Sequence, residues 1–297
     1  MKLSLGPVPY FWPRDRIEAF YREVETWPVD VVYLGETVCS KRRALGPAEW
    51  MTLAGRLESA GKEVVLSTLA LLEAESERAG LERICGNGRY PVEANDMAAV
   101  YRLASRGGFV AGPHLNIYNR EALGLIADCG AMRWVPPVEL AGDTVAALQA
   151  ERPPRLTTEV LAFGRLPLSF SARCFTARAH DLPKDDCAWR CEDYPDGLAL
   201  ETQEGGGLFA VNGIQLQSAV PCNLIESVPR MVEMGIDVLR ISPLARGTAE
   251  AVEAFDAVLR GARAPAEAQE GLASLSPGGW CNGYWHGYAG MAWERPA

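Results

Sequence analysis

Cys174, Cys187 and Cys191 fall in one short polar stretch, with twelve residues between the first two and three between the last two. A fourth, Cys39, sits far upstream in YLGETVCSKRR. Thiolates are soft ligands that suit zinc, copper(I) and iron–sulfur clusters. Four of them converging from two loops is what a closed metal site requires. The spacing matches neither the common ferredoxin patterns nor the paired C-x2-C knuckles of zinc ribbons, so it leaves the metal open. A free cysteine is otherwise a small buried hydrophobe, and that is the reading for Cys85, Cys129, Cys222 and Cys281. The polar, turn-rich surroundings of the other four argue for ligation instead.

Further candidates are few. His114 and Asn116, in PHLNIYN, follow a strand and are placed to orient an oxygen-rich small substrate. Arg173 adjoins Cys174 and could neutralise its charge or clamp a carboxylate with both arms. His180 lies inside the cysteine loop, either as a donor to a sulfur or as a solvated loop residue. His286, in NGYWHG, reads as a packed aromatic neighbour. Asn95 and Asp96 read as helix caps, which leaves Glu93 as an isolated acidic candidate. EGGGLF lacks the Lys-Ser/Thr of a phosphate loop and reads as a hairpin turn. The chain has three histidines and neither H-E-x-x-H nor G-x-S-x-G, so common hydrolase constellations are missing.

These residues need elements to hold them. β-rich runs at 3–5, 31–34, 64–67, 90–93, 109–111, 132–135, 160–163 and 238–241 alternate with helical patterns at 14–25, 48–60, 70–80, 97–104, 120–128, 144–150, 225–234 and 249–259. About eight βα units predict an α/β fold: a TIM-like (β/α) barrel, with an open doubly wound sheet as the runner-up. Runs at 198–201, 208–211 and 214–216, separated by EGGG and Asn212-Gly213, predict an antiparallel hairpin region inserted in the barrel. Residues 1–297 read as a single barrel domain, in which the aromatic tail of 262–297 packs back onto the body. In a barrel, the loops that follow strands share one face. Cys39 follows the second strand and Cys174 the strand ending near Phe163, so both belong to that face.

At 297 residues with 48% hydrophobic content, the chain has ample material for one barrel core. A net charge of −9 removes any general attraction to nucleic acid. The start, MKLSLGPVPYFWPRD, has no apolar run of the kind a signal peptide carries, and no stretch is long and apolar enough to span a membrane. The expected location is cytoplasmic, where thiols stay reduced.

The context GETVCSKRR, followed by C-x12-C-x3-C, resembles the collagenase-like U-type peptidase family. PVEAND, GPHLNIYN, EVLAFGRLPLSFSARC, FAVNGIQLQS and NGYWHG extend the resemblance over nearly the whole chain. It implies a 4Fe–4S cluster held by Cys39, Cys174, Cys187 and Cys191, and a barrel-like fold. Among the short members of the family, it implies a part in oxygen-independent hydroxylation of an apolar ubiquinone precursor. The implied partners are a UbiU-like protein in a heterodimer and a UbiT-like lipid carrier, with prephenate as the oxygen donor. The alternatives are a peptidase and a zinc-stabilised scaffold without catalysis. An enzyme acting on RNA bases is disfavoured by the acidic charge.

Overall fold

A computed structural model describes residues 1–104 and 106–294. β1 (Lys2–Leu5) is followed by α1 (Arg14–Val24), β2 (Val31–Leu34) by α2 (Pro47–Ser59), β3 (Glu63–Ser67) by α3 (Arg78–Cys85), and β4 (Val92–Ala94) by α4 (Met97–Leu103). The rhythm continues through β5 (Phe109–Ala111), α5 (Arg120–Asp128), β6 (Ala131–Trp134), α6 (Gly142–Glu151) and β7 (Thr157–Gly164). An insertion then supplies β8 (Pro167–Phe170), α7 (Phe175–Ala179), β9 (Leu198–Glu201), β10 (Gly207–Asn212) and β11 (Gln215–Ser218). β12 (Cys222–Asn223), α8 (Val228–Glu233), β13 (Val238–Ile241), α9 (Thr248–Leu259) and α10 (Pro265–Gly271) complete the chain's regular elements.

β1–β7 and β13 pair in parallel, and β6 pairs with β7 to close an eight-stranded barrel. The expected TIM-like barrel is therefore the fold. Alternation along the strands explains its two shells. Val31, Tyr33 and Val65 point inward and meet Val110 and Val135. Their neighbours Val32, Leu34, Val64 and Leu66 join the outer core beneath the helices. Strands covered on both sides in this way carry apolar residues on both faces, as β2 (VVYL) does. The inserted sheet is separate and antiparallel, in the order β8-β11-β10-β9.

Some local expectations need correction. The stretch 70–80 is not one helix: it is irregular to Ala74, makes a 3-10 turn at Glu75–Glu77, and only then enters α3. Its acids are used to hold loops. Glu77 accepts hydrogen bonds from the backbone of Glu73 (2.9 Å) and Ala74 (3.2 Å) and from the Ser40 hydroxyl (2.7 Å). Helix 225–234 begins as a 3-10 turn at Ile225–Ser227. β8 intervenes between β7 and Cys174, and β12 runs antiparallel along the end of β7. Asp96 caps α4 and Asn119 caps α5, whereas Asn95 is buried and bonds elsewhere.

Within the tail, Trp280, Cys281 and Trp285 are buried, and the backbone of Cys281 pairs with that of Cys222 in an isolated parallel β-bridge, both thiols staying free. Gly142 donates its N–H to the Trp285 carbonyl (2.8 Å). The final three residues of the 1–297 span lie outside the described residues.

Candidate metal and ligand site

The turn after β2 is fixed by its own acid. Glu36 Oε1 accepts the backbone N–H groups of Val38 (2.8 Å) and Cys39 (3.1 Å), which sets the position of Cys39. Burial raises the Glu36 carboxyl above its ordinary pKa, and nearby Arg42 offsets part of that rise. Arg42 is itself buried. Its Nη1 donates to the Pro9 carbonyl (2.7 Å) and its Nη2 to Asn212 Oδ1 (2.7 Å), while Nε has no partner.

That turn is stapled to the cysteine loop of the insertion. Lys41 Nζ donates to the Lys184 carbonyl (2.8 Å) and to Asp185 (2.6 Å), and Trp189 Nε1 donates to the Lys41 carbonyl (3.0 Å). Lys184 in turn reaches the Ala172 carbonyl (2.8 Å) and pairs with Glu73. Cys174 begins α7, and its sulfur accepts the Ala177 N–H (3.4 Å). Between Cys187 and Cys191, Ala188 and Trp189 both hold the left-handed conformation (φ 47° and 50°), a strain that non-glycine residues bear only when their surroundings impose it.

All four cysteines of the motif are free thiols and half-buried. Burial is the main cause that lifts the Cys39 and Cys191 thiols above their ordinary pKa. Like charges add to it: Cys191 acts on Cys39, and Cys174 acts on Cys191. Arg42 pulls both back down, and Lys41 feels both Cys187 and Cys39. Arg42 thus lies within electrostatic reach of Cys39 and Cys191, Lys41 within reach of Cys39 and Cys187, and Cys174 within reach of Cys191. No three His, Cys, Asp or Glu side chains among the described residues are gathered so as to hold a metal ion.

A second group occupies the barrel interior, and pattern reading had not singled it out beyond Glu93. Arg240 on β13 donates Nε to Glu159 (2.7 Å) and Nη1 to Glu93 (2.7 Å). Glu159 also accepts from Ser4 (2.6 Å), Tyr33 (2.5 Å) and Arg133 (3.4 Å). Burial alone would raise the Glu159 carboxyl, but Arg240 and Arg133 overcome it and hold it below its ordinary value. Glu93 further accepts from Ser67 (2.7 Å) and from Asn95 (3.2 Å), the residue expected to be a cap. The signal for this group was present but local: charged or polar residues standing inside otherwise apolar strands.

Above this network lie two cavities. An inner chamber of about 60 Å³ has Glu93, His114, Arg165, Gln215, Gln217 and Arg240 in its lining. An outer vestibule of about 260 Å³ includes Asn116, Tyr118, Glu139 and Ser169. Pro113, His114, Val138 and Pro167 line both, so they form the wall between them. His114 meets Phe170 edge-on at 4.7 Å. Burial lowers its pKa to about 4, so its imidazole is neutral at physiological pH.

The other candidates separate from this group. Arg173 is exposed and lines neither cavity. His180 shares a 2.9 Å hydrogen bond with the Tyr194 hydroxyl, and His286 Nε2 is buried without a partner. Cys85, Cys222 and Cys281 are buried, and Cys129 is half-buried against the core.

An eight-stranded (β/α) barrel with an antiparallel insertion and four loop cysteines defines the class. Peptidase family U32 matches residues 26–295, and the chain belongs to that family. Among solved structures, the U32 peptidase Mk0906 is 11% identical, with a TM-score of 0.47 over 83% of this chain and 94% of that one. A dihydropteroate synthase from Thermus thermophilus is 14% identical, with a TM-score of 0.41 over 86% and 94%. A tryptophan synthase complex from Pyrococcus furiosus contains a chain 12% identical, with a TM-score of 0.41 over 92% and 97%.

Proposed function

We propose that the chain is an iron–sulfur protein with a UbiV-like role. In this reading it carries a 4Fe–4S cluster on Cys39, Cys174, Cys187 and Cys191 and acts as a heterodimer with a UbiU-like protein. The complex serves oxygen-independent hydroxylation of a ubiquinone precursor in the cytoplasm. The observation that carries the reading is Arg42: a buried guanidinium set against the Cys191 thiol and within electrostatic reach of Cys39. Four thiols with such a donor fit a cluster rich in sulfide and thiolate acceptors.

When bound, a cluster of this kind supplies redox or Lewis-acid chemistry. The chain's own part is structural and electrostatic. Glu36, Lys41 and Trp189 fix the two loops relative to each other, and Lys41 and Arg42 offset thiolate charge. In this reading a UbiT-like lipid carrier presents the apolar precursor.

The test is anaerobic purification, alone and co-expressed with a UbiU-like protein. Brown protein with broad visible absorbance that bleaches on reduction, together with iron and acid-labile sulfide, is the expected result. A colourless zinc protein overturns it. Membership of peptidase family U32 favours proteolysis as the second reading. Casein cleavage by the pure protein, abolished by one side-chain change, would establish that activity. Among the described residues, however, no histidine is hydrogen-bonded to a serine or cysteine nucleophile.

A further inference from the structure

Cys222 and Cys281, 59 positions apart (281 − 222), are set opposite each other by two backbone hydrogen bonds. Cys281 donates its N–H to the Pro221 carbonyl (3.0 Å), and Asn223 donates its own to the Cys281 carbonyl (3.0 Å). These bonds straddle Cys222 and make a parallel bridge, in which the paired residues present their side chains on one face. Neighbouring strands lie about 4.8 Å apart, inside the range of about 4.4–6.8 Å across which a disulfide joins two Cα atoms. The two thiols hydrogen-bond to each other, and Cys281 Sγ also lies 3.6 Å from the Val220 carbonyl.

A third cavity, of about 30 Å³, touches this pair from one side. Cys222 lines it together with Leu161, Asn282, Tyr284 and Trp285, and Cys281 is not among its lining residues. A space of that size holds about two water-sized molecules. It therefore admits hydrogen peroxide and excludes glutathione or a protein thiol. Trp285 Nε1 is buried with no partner among the described residues, which leaves a donor for a peroxide oxygen. The hydrogen bond between the thiols also divides their roles. It lowers the Cys281 pKa, against burial and with help from Ser218 and Arg165, and it raises Cys222, to which burial adds. The lower pKa suits Cys281 to attack a sulfur, because the thiolate is the nucleophile in that step.

We propose that Cys222 and Cys281 form a peroxide-driven disulfide clasp that fastens the tail to the end of β7. The Cys222 sulfur attacks a peroxide oxygen: an S–O bond forms, the O–O bond breaks, and the departing hydroxide takes the Cys222 proton and leaves as water. The Cys281 sulfur then attacks the sulfur of the Cys222 sulfenic acid. An S–S bond forms, the S–O bond breaks, and that hydroxide takes the Cys281 proton as a second water. Two thiols lose two electrons and one peroxide gains them. Because β12 pairs with β7 at Gly164 and Phe163, the new bond ties the tail to the barrel itself. The proposal goes beyond the iron–sulfur reading and does not depend on it, since neither cysteine belongs to the four-cysteine motif.

The full chain, purified anaerobically, is exposed to limiting hydrogen peroxide, quenched with iodoacetamide in urea and cut by a glutamate-specific protease. Cleavage after Glu204, Glu226, Glu270 and Glu294 leaves Cys222 alone in peptide 205–226 and Cys281 alone in peptide 271–294. Mass spectrometry should find these two peptides linked, lighter by two hydrogens than their sum, and separated by reduction. The link should be lost when peroxide is added in urea, where the bridge no longer aligns the thiols. Cys281→Ser should lose it as well and leave Cys222 as a sulfenic acid, trapped by dimedone. Both peptides alkylated after peroxide, Cys222 linked instead to a motif cysteine, or equal linkage in urea would each overturn the proposal. These readings need only the wild-type chain, so they decide even where Cys281→Ser fails to fold. Iron measured in the same samples reports separately on the cluster.

Discussion

At the scale of single residues, Arg42 and His114 show how position changes a side chain's work. Arg42 stands in SKRR, where it reads as one of several surface basic residues; its burial against Pro9, Asn212 and the thiols follows from chain segments far away in sequence. Cys174, Cys187 and Cys191 stand out as candidates in the sequence because their spacing is local and their context polar, and Cys39 joins them only from its place after a strand far upstream. The Arg240–Glu159–Glu93 network was not, because its partners lie 81 and 147 positions apart. Cys187→Ala should keep the barrel's circular dichroism but lose iron; normal iron in that variant would remove Cys187 from the ligand set. His114 gives a pH prediction. Its folded pKa of about 4 lies below the ordinary 6.5, so the unfolded chain binds more protons between those values. Stability contributed by the neutral ring is therefore present above about pH 6.5 and lost as pH falls towards 4. Melting temperatures across that window should fall less steeply in His114→Gln than in the wild type.

At the scale of elements, the Asn212-Gly213 turn does more than reverse a strand. Gly213 has φ 65°, and a Cβ there would meet Arg42 Nη2 at 2.8 Å. Its carbonyl accepts the Phe175 N–H (2.8 Å) and its N–H donates to Thr176 (2.9 Å), which docks the start of α7 next to Cys174. Gly213→Ala should cost about 1–2 kcal/mol from the backbone alone and should also lower iron incorporation by displacing Arg42. Urea midpoints and iron content, measured together, check both effects; full iron loading would show that the Arg42 contact is dispensable. The turn itself was readable from Asn-Gly between alternating strands. β12, of two residues, carries no pattern that could announce it. The acidic run at 70–80 imitates a helix because glutamate favours one, yet its carboxylates are drawn into holding backbone and loop instead.

At the scale of the whole molecule, the barrel closes around charge as well as around valine. Eight strands were readable from their rhythm; that their interior holds paired arginines and glutamates was not, since strand periodicity reports a face and not its partner. Glu159 is fully buried and serves two arginines. Glu159→Ala leaves both short of a counter-charge and should cost about 3–5 kcal/mol, read as a drop in the urea midpoint; a change under about 1 kcal/mol would mean that water replaces the carboxylate freely. Because Arg240 and Arg133 hold its folded pKa below the ordinary carboxyl value, this contribution is present at neutral pH and lost as pH falls through that depressed pKa.

The staples from Lys41 to Lys184 and from Trp189 to Lys41 have a consequence for the order of assembly. Cys39 and Cys174 are 135 positions apart (174 − 39), and β3 to β7 are made between them. Bringing such distant segments together costs loop-closure entropy that nearby contacts must first repay. In the closed barrel β7 reaches β2 through β13 and β1 on one side and through β3 to β6 on the other, so either route joins segments far apart in sequence. The contact between the two cysteine loops is therefore expected late in folding, after much of the barrel has paired.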